Sequence, residues 1–377
     1  MADGGGKLHI TTSAHSREEL ATILRDYTTV KLESSQQLFG GYSASTYRLQ
    51  LADDSLVVLK VCNGYTPSDA ESMCRTVAYL ERKGFHQCCF PIPRLGGGDH
   101  QFTSLKERDK VPSFLLNYVE GSPADVVMRN NAKLAVTVMR GIGAGLGKMH
   151  DVASGITLKE LQKESIRYYE TDGGCCDVED HFRGTIRKKI LNSTVRDHPF
   201  VSFYEDELLA LIEGMKLVKE GKLSLGITHG DPFSDNVLSF PDDGHLSAFI
   251  DIEDICIGPL LFDLACCAIG CCFVSLGVNN QQLDFDLLSA LFQGYTSART
   301  LPELERCQFV AFMRLTLLCN CCWRFVKFNV SPATEDESIP ARAKDSHLEL
   351  QRRIEYLHDD NVVKKINSLL NKCSVND

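Results

Sequence analysis

A single polar hairpin set into helical sequence constrains this chain more than any other feature. Residues 227–255, ITHGDPFSDNVLSFPDDGHLSAFIDIEDI, read as a loop, a short strand, a turn at Asp242-Asp243-Gly244 and a second short strand. Apolar residues recur at helical spacing on both sides. LAVTVMRGIGAGLGKMHDV (134–152) and FYEDELLALIEGMKLVKEG (203–221) precede it, and FDLLSALFQGY (285–295), ELERCQFVAFMRLTLLCNCCWRFVKF (303–328) and HLELQRRIEYL (347–357) follow. Within the hairpin, His229-Gly230-Asp231 is followed five residues after the aspartate by Asn236, and Asp251 sits in an apolar setting, AFIDIED. Two acids and one carboxamide at the ends of adjacent short strands can converge on one point.

Strand-type sequence is otherwise confined to the first third. Residues 1–16 have no periodicity and read as a flexible arm; from Ser16 a cap-like serine and early acids predict a helix. Residues 36–62 alternate as strand, Gly-containing turn, strand, turn at Ala52-Asp53-Asp54, and strand, with Lys60 on the third. An amphipathic helix follows over Ser68–Gly84, with Asp69 and Glu71 in its first turn, and PSFLLNYVEGSP predicts a short apolar strand ending at Gly121. The expected class is α+β in two lobes, a small antiparallel-sheet lobe over 17–117 and a larger helical lobe over 118–377.

Composition narrows the function classes. With 44% apolar and 24% charged residues the chain is ordinary globular material, and a net charge of −10, from 40 basic against 50 acidic residues, argues against nucleic acid or an anionic membrane as main partner. The opening residues do not read as a secretory signal, and the longest nearly uncharged stretch, Leu264–Val278, has 15 residues, where a bilayer span needs about 20. Sixteen cysteines then read as reduced, buried thiols in a cytoplasmic protein. Cys319/Cys322 and Cys267/Cys271 have spacings that admit a zinc module, but both pairs lie inside apolar helices and not in the turns of zinc ribbons. Cys88-Cys89 and Cys175-Cys176 are adjacent pairs, poor as chelators. Trp323 reads as core.

The hairpin's residue set suits phosphoryl transfer. That chemistry needs one carboxylate to accept or orient the proton of an attacking hydroxyl, and a carboxylate with an amide oxygen to hold Mg²⁺ on the phosphates. Positioning and charge neutralisation supply the rest.

HGDPFSDNVL resembles the HGDxxxxN catalytic loop of the aminoglycoside phosphotransferase and choline kinase superfamily, relatives of the protein kinases. FIDIED resembles its IDxxD/E metal segment, and PLLFDLA (259–265) follows in order. The likeness covers most of 36–330 and implies a two-lobed protein-kinase-like fold using ATP and Mg²⁺. It implies Asp231 as catalytic base, Asn236 and Asp251 as metal ligands, and His229 as a structural histidine. Lys60 resembles the lysine that contacts the α- and β-phosphates, with Glu71 as its ion-pair partner and Asp69 and Glu81 as rivals. Gly41 and Ser43, in the run Gly40–Ser45, resemble a lid over the phosphates, and Asn117 and Val119 resemble the hinge whose backbone reads the adenine edge. Pro232 departs from the pattern, where the family has a larger apolar residue, and implies a local shift of the loop.

Within the superfamily, THGDPFSDNVL, GPLLFDLA and LLSALFQGYTSARTLPELE resemble the segment order of the homoserine kinase branch. The expected activity is therefore phosphorylation of a hydroxyl on a small amine-bearing metabolite, homoserine first, with choline, ethanolamine, hydroxylysine or an aminoglycoside as alternatives. Glu253 and Asp254 are expected to suit an ammonium group; Arg314 and Arg324 are candidates for a substrate carboxylate. A non-catalytic nucleotide-binding scaffold is the alternative of another class, disfavoured because Lys60, Asp231, Asn236 and Asp251 are all present.

Overall fold

The computed structural model describes residues 15–38, 44–62, 65–98, 100–105, 111–154, 187–275, 281–330 and 341–373, with isolated positions at 156, 160, 163, 164 and 166. Gly41 and Ser43 of the expected phosphate lid, and most of 153–200, lie outside the described residues. The chain divides into two units: residues 1–120 with 158–167 and 248–255, and residues 121–157 with 168–247 and 256–377. The single cut read after residue 117 therefore needs a correction. The segment carrying Asp251 belongs with the first unit, because Phe249 exchanges backbone hydrogen bonds with Gln87 and Cys89.

The first unit opens with helix α1 (Arg17–Leu24), whose Ser16 and Glu19 form a reciprocal cap. Its sheet runs in the order β1 (Leu32–Leu38), β2 (Ser45–Leu51), β3 (Leu56–Val61), β5 (Pro112–Asn117), β4 (Thr103–Leu105), antiparallel throughout. β3 is the middle strand, so Leu59 and Val61 are both fully covered. Tyr47, Leu49, Leu59, Val61 and Leu115 close one core with Leu20, Leu24 and Tyr27. Helix α2 (Pro67–Arg82) follows β3; Thr66 and Asp69 cap it reciprocally, which commits the Asp69 carboxylate to the helix end.

The second unit begins at Gly121, whose φ of +139° suits glycine and where a Cβ would lie 3.0 Å from that of Leu238. Strand β6 (Ser122–Pro123) pairs there with β8 (Val237–Ser239). Helices α3 (Ala124–Asn130), α4 (Ala135–Val152), α5 (Arg187–Leu191) and α6 (Pro199–Lys219) lead to β7 (Leu225–Thr228). Then come β8, the hairpin turn closed by Gly244 N–H on Phe240 C=O, β9 (Leu246–Phe249), whose last two residues belong to the first unit, and β10 (Cys256–Pro259), which pairs with β7. Helix α7 (Leu260–Cys271), the β11 (Phe273–Ser275) and β12 (Gln281–Leu283) hairpin, α8 (Phe285–Ala298), α9 (Glu303–Phe325), α10 (Ala341–Lys344), α11 (Ser346–Tyr356) and α12 (Asp360–Cys373) complete it.

Two helix contacts position the site. The glycine-rich face of α4 lets its backbone touch α8: a Cβ at Gly143 would lie 2.2 Å from the Leu291 carbonyl oxygen. That approach places His150, near the end of α4, beside Tyr295. Helix α7 packs on α9. By length and composition Glu303–Val330 is apolar enough to cross a membrane, yet 61% of its apolar window is buried within the protein, as in a core helix. Trp323 corrects its reading as core: it is 47% exposed, with the Lys327 ammonium 4.5 Å from its ring centroid.

Candidate active site

The expected functional residues fall into two groups, one in each unit. In the second unit the loop after β7 is shaped by His229-Gly230-Asp231. Gly230 takes a φ of +87°, a conformation glycine adopts without strain. The His229 ring accepts the Asp231 N–H at Nδ1 (3.3 Å), so the histidine braces the turn. The loop closes on itself through Phe233 N–H to Asp231 C=O and Asn236 N–H to Phe233 C=O, both 2.8 Å. Asn236 donates its Nδ2 to the Asp231 backbone carbonyl (3.0 Å) and to the Asp231 carboxylate (2.9 Å). With its nitrogen so committed, the amide oxygen of Asn236 is the atom suited to a cation.

Asp263, fully buried on α7, holds this loop. Its carboxylate accepts the N–H groups of His229 (2.8 Å) and Gly230 (2.9 Å), and the Nε2–H of His150 (3.0 Å). His150 in turn accepts the Tyr295 hydroxyl at Nδ1 (2.8 Å), and Arg299 donates to that hydroxyl (3.0 Å). Arg299 also pairs with Glu305, which accepts the Ser224 N–H just before β7. Burial holds the imidazole below its usual pKa despite the Asp263 carboxylate, so the histidine is neutral with the tautomer that these bonds require. Sequence reasoning passed over His150 and gave Asp263 no role. The available signal was an acid inside the apolar run PLLFDLACC and a histidine closing an apolar helix.

Pro232, the departure from the family pattern, sits without disturbing the loop's internal hydrogen bonds; its carbonyl faces the Cys271 thiol (3.8 Å). The next residue, Phe233, packs on Gly270, where a Cβ would lie 2.2 Å from its ring.

In the first unit, Lys60 is 6% exposed and makes ion pairs with Asp251 and with Glu253, the latter at 2.8 Å. Burial pulls the ammonium's pKa down, but the two carboxylates outweigh it and hold it well above the ordinary lysine value. Asp251 takes a left-handed backbone, φ +63°, at the start of the 3₁₀ turn Ile252–Asp254, and its side chain is 34% exposed. A charged lysine and a partly exposed carboxylate side by side fit the phosphates and the divalent ion that the sequence reading assigns to them.

Glu71 requires a correction. It does not pair with Lys60, because its carboxylate accepts the backbone N–H groups of Gln101 (2.9 Å), Phe102 and Thr103 (3.0 Å each) and pairs with Arg75. Those donors belong to β4 and its approach, so Glu71 ties α2 to the edge of the sheet. Glu253, expected to suit a substrate ammonium, is the residue that takes Lys60; Asp254 is exposed. At the expected hinge, the Asn117 N–H donates to the Phe90 carbonyl and its side-chain oxygen accepts the Phe90 N–H; Val119 lies half-buried just after β5. Arg314 pairs with Glu207 (2.6 Å), and Arg324 donates to the Ser346 carbonyl (3.2 Å). Both arginines serve the fold.

Among the described residues the cysteines are buried thiols in most cases. Burial pushes Cys319 and Cys321 up to about 12, and no group of three or more His, Cys, Asp or Glu side chains that could hold a metal occurs among the described residues. Cys267 and Cys271 lie with sulfurs 3.9 Å apart.

Comparison with known proteins decides the family. The profile of the phosphotransferase enzyme family, APH, matches residues 35–307. The chain belongs to that family. Its fold is shared with amicoumacin kinase hAmiN, solved in complex with AMP-PNP, Ca²⁺ and Ami, at a TM-score of 0.65 and 14% identity over 91% of this chain and 94% of that one. A microcompartment-associated aminopropanol kinase gives 0.57 and 14% over 94% and 98%, and a Plasmodium vivax ethanolamine kinase 0.53 and 13% over 85% and 82%. No curated protein sequence matches it. The hAmiN complex holds a nucleotide analogue and a divalent ion, consistent with the ATP and Mg²⁺ that the sequence reading implies for a phosphotransferase of this family. The fold class is as expected, an antiparallel sheet followed by a mostly helical remainder.

Proposed function

We propose that this protein transfers the γ-phosphoryl group of ATP to a hydroxyl of a small amine-bearing metabolite. The single observation that carries the reading is the Asp231–Asn236 pair, two polar side chains 2.9 Å apart on a loop anchored by the buried Asp263 within a phosphotransferase chain. Asp231 orients the acceptor hydroxyl and takes its proton late in the reaction, since a carboxylate is far too weak a base to ionise an alcohol beforehand. As the resemblance implies, Asn236 through its amide oxygen and Asp251 through its carboxylate would hold Mg²⁺, which would supply charge neutralisation on the phosphates. Lys60 neutralises phosphate charge as a point cation.

The acceptor class draws on the relatives' own substrates. Aminopropanol and ethanolamine are both amino alcohols, and homoserine is an amino alcohol that adds a carboxylate. Homoserine is the first acceptor to test, supported by the order THGDPFSDNVL, GPLLFDLA, LLSALFQGYTSARTLPELE. Against it stand Arg314 and Arg324, both engaged inside the fold, so its carboxylate needs another partner.

The test is ADP formation with Mg-ATP and a panel of homoserine, ethanolamine, aminopropanol, choline, hydroxylysine and an aminoglycoside set, alongside Asp231→Asn. Acceptor-stimulated turnover that vanishes in the variant supports the reading. Nucleotide binding with no stimulated turnover on any acceptor, and identical behaviour of Asp231→Asn, would favour a non-catalytic scaffold.

A further inference from the structure

We propose that Glu253, and not Glu71, is the positioning carboxylate that holds Lys60 in place for the phosphates of ATP; the inference rests on the phosphotransferase reading above. A lysine on the central strand of a sheet, 6% exposed, keeps its charge only where carboxylates offset its lost hydration. Two do so here, Asp251 and Glu253. They differ in surroundings. The Asp251 side chain is 34% exposed, whereas that of Glu253 is 9% exposed.

Asp251 is also the carboxylate assigned to the metal. Once its charge is shared with a divalent cation it can no longer be the sole anchor of Lys60, and the cation's own field repels the ammonium. A second, enclosed carboxylate solves this. Glu253 stays with the lysine at 2.8 Å, and its other oxygen lies 3.5 Å from the Tyr65 hydroxyl. Glu71 is unavailable for the task. Three backbone N–H groups and Arg75 engage its two oxygens, and withdrawing it would orphan the buried donors of Phe102 and Thr103. The spacing of the two acids explains how one short turn serves two cations. Asp251 in its left-handed conformation begins the 3₁₀ turn, and Glu253 lies within it, so their carboxylates reach the same ammonium from one loop. Glu253 is therefore a positioning residue that acts through Lys60.

The experiment has a nucleotide-free arm and a nucleotide arm on the full chain. Urea midpoints are measured for Lys60→Met, Glu253→Gln, Glu71→Gln and the doubles Lys60→Met/Glu253→Gln and Lys60→Met/Glu71→Gln. The expected result is a Lys60/Glu253 double whose midpoint shift is smaller than the sum of its singles, and a Lys60/Glu71 double whose shift equals the sum. Should Glu253→Gln fail to fold, the double must fold better than it does, because removing both charges leaves neither unpaired. Calorimetric titration with Mg-AMP-PNP is expected to show about 10- to 100-fold weaker binding in Glu253→Gln, the worth of one charged hydrogen bond. An additive Lys60/Glu253 pair, a double that folds no better than Glu253→Gln, or unchanged nucleotide affinity overturns the inference. Wild-type protein that binds no Mg-AMP-PNP overturns the phosphotransferase reading itself, whereas wild-type binding with an additive pair overturns the role of Glu253 alone.

Discussion

The carboxylate of Asp263 accepts the N–H of Gly230 at 2.9 Å, across 33 residues of chain. Through that bond and its neighbour to His229, a helix buried in the second unit fixes the backbone from which Asp231 projects. Asp263→Ala removes the acceptor of three N–H groups, and the two fully buried ones, the His229 backbone and His150 Nε2, are left unpaired at about 1–3 kcal/mol each. We expect a loss of roughly 2–6 kcal/mol in urea unfolding and a fall in kcat in whatever variant still folds. A loss below about 1 kcal/mol would show that the loop does not depend on this carboxylate.

Asp231→Asn keeps size and a hydrogen-bond acceptor while removing charge. A positioned proton acceptor contributes about 10²–10⁴-fold, so kcat should fall by that factor while KM for ATP changes little. Steady-state kinetics with the best acceptor of the panel checks this; a drop confined to KM for ATP would place Asp231 in nucleotide binding instead.

Asp251→Asn should remove activity at millimolar magnesium, since an amide cannot supply the charge that a divalent ion needs. Titration of activity against magnesium distinguishes the outcomes. Near-native turnover at ordinary magnesium would exclude Asp251 as a ligand. The same substitution takes away one of the two carboxylates on Lys60, whose remaining partner is Glu253.

The burial of His150 sets the sign of a pH dependence in the fold. Burial lowers its pKa from the model-peptide region near 6.5, so the unfolded chain binds the proton more readily than the folded one. Stability from this group is complete above the unfolded value of about 6.5 and is lost as pH falls through it toward the folded value, at up to about 1.4 kcal/mol per pH unit. His150→Gln keeps a donor for Asp263 and removes the titration. Urea midpoints of the two proteins from about pH 8 to about pH 5.5 should converge on the acid side; parallel curves would contradict the assignment.

What the sequence by itself determined is local. Strand alternation through Leu56–Val61, caps such as Ser16 with Glu19, and the Asp231–Asn236 spacing are all set by residues a few positions apart. Their geometry therefore follows from periodicity and turn chemistry before any packing is known. The terminal helix Asp360–Cys373 was less legible because it depends on burial of few apolar residues, Ile366 and Leu370. Only the tertiary structure decided how the charges are shared. Lys60 and Glu253 are separated by 193 residues, and an acid two positions from Asp251 looks in sequence like any surface acid. Glu71 occupied the expected place one helix after Lys60, yet its oxygens face the amides of Gln101, Phe102 and Thr103, donors that exist only once β4 lies against α2. Asp263 and His150 became partners for the same reason: a close glycine-lined helix contact brings α4 onto α8 and leaves a buried imidazole between a hydroxyl and a carboxylate. A carboxylate pairs with whichever donors the packed chain presents to it, and that presentation is a property of the fold.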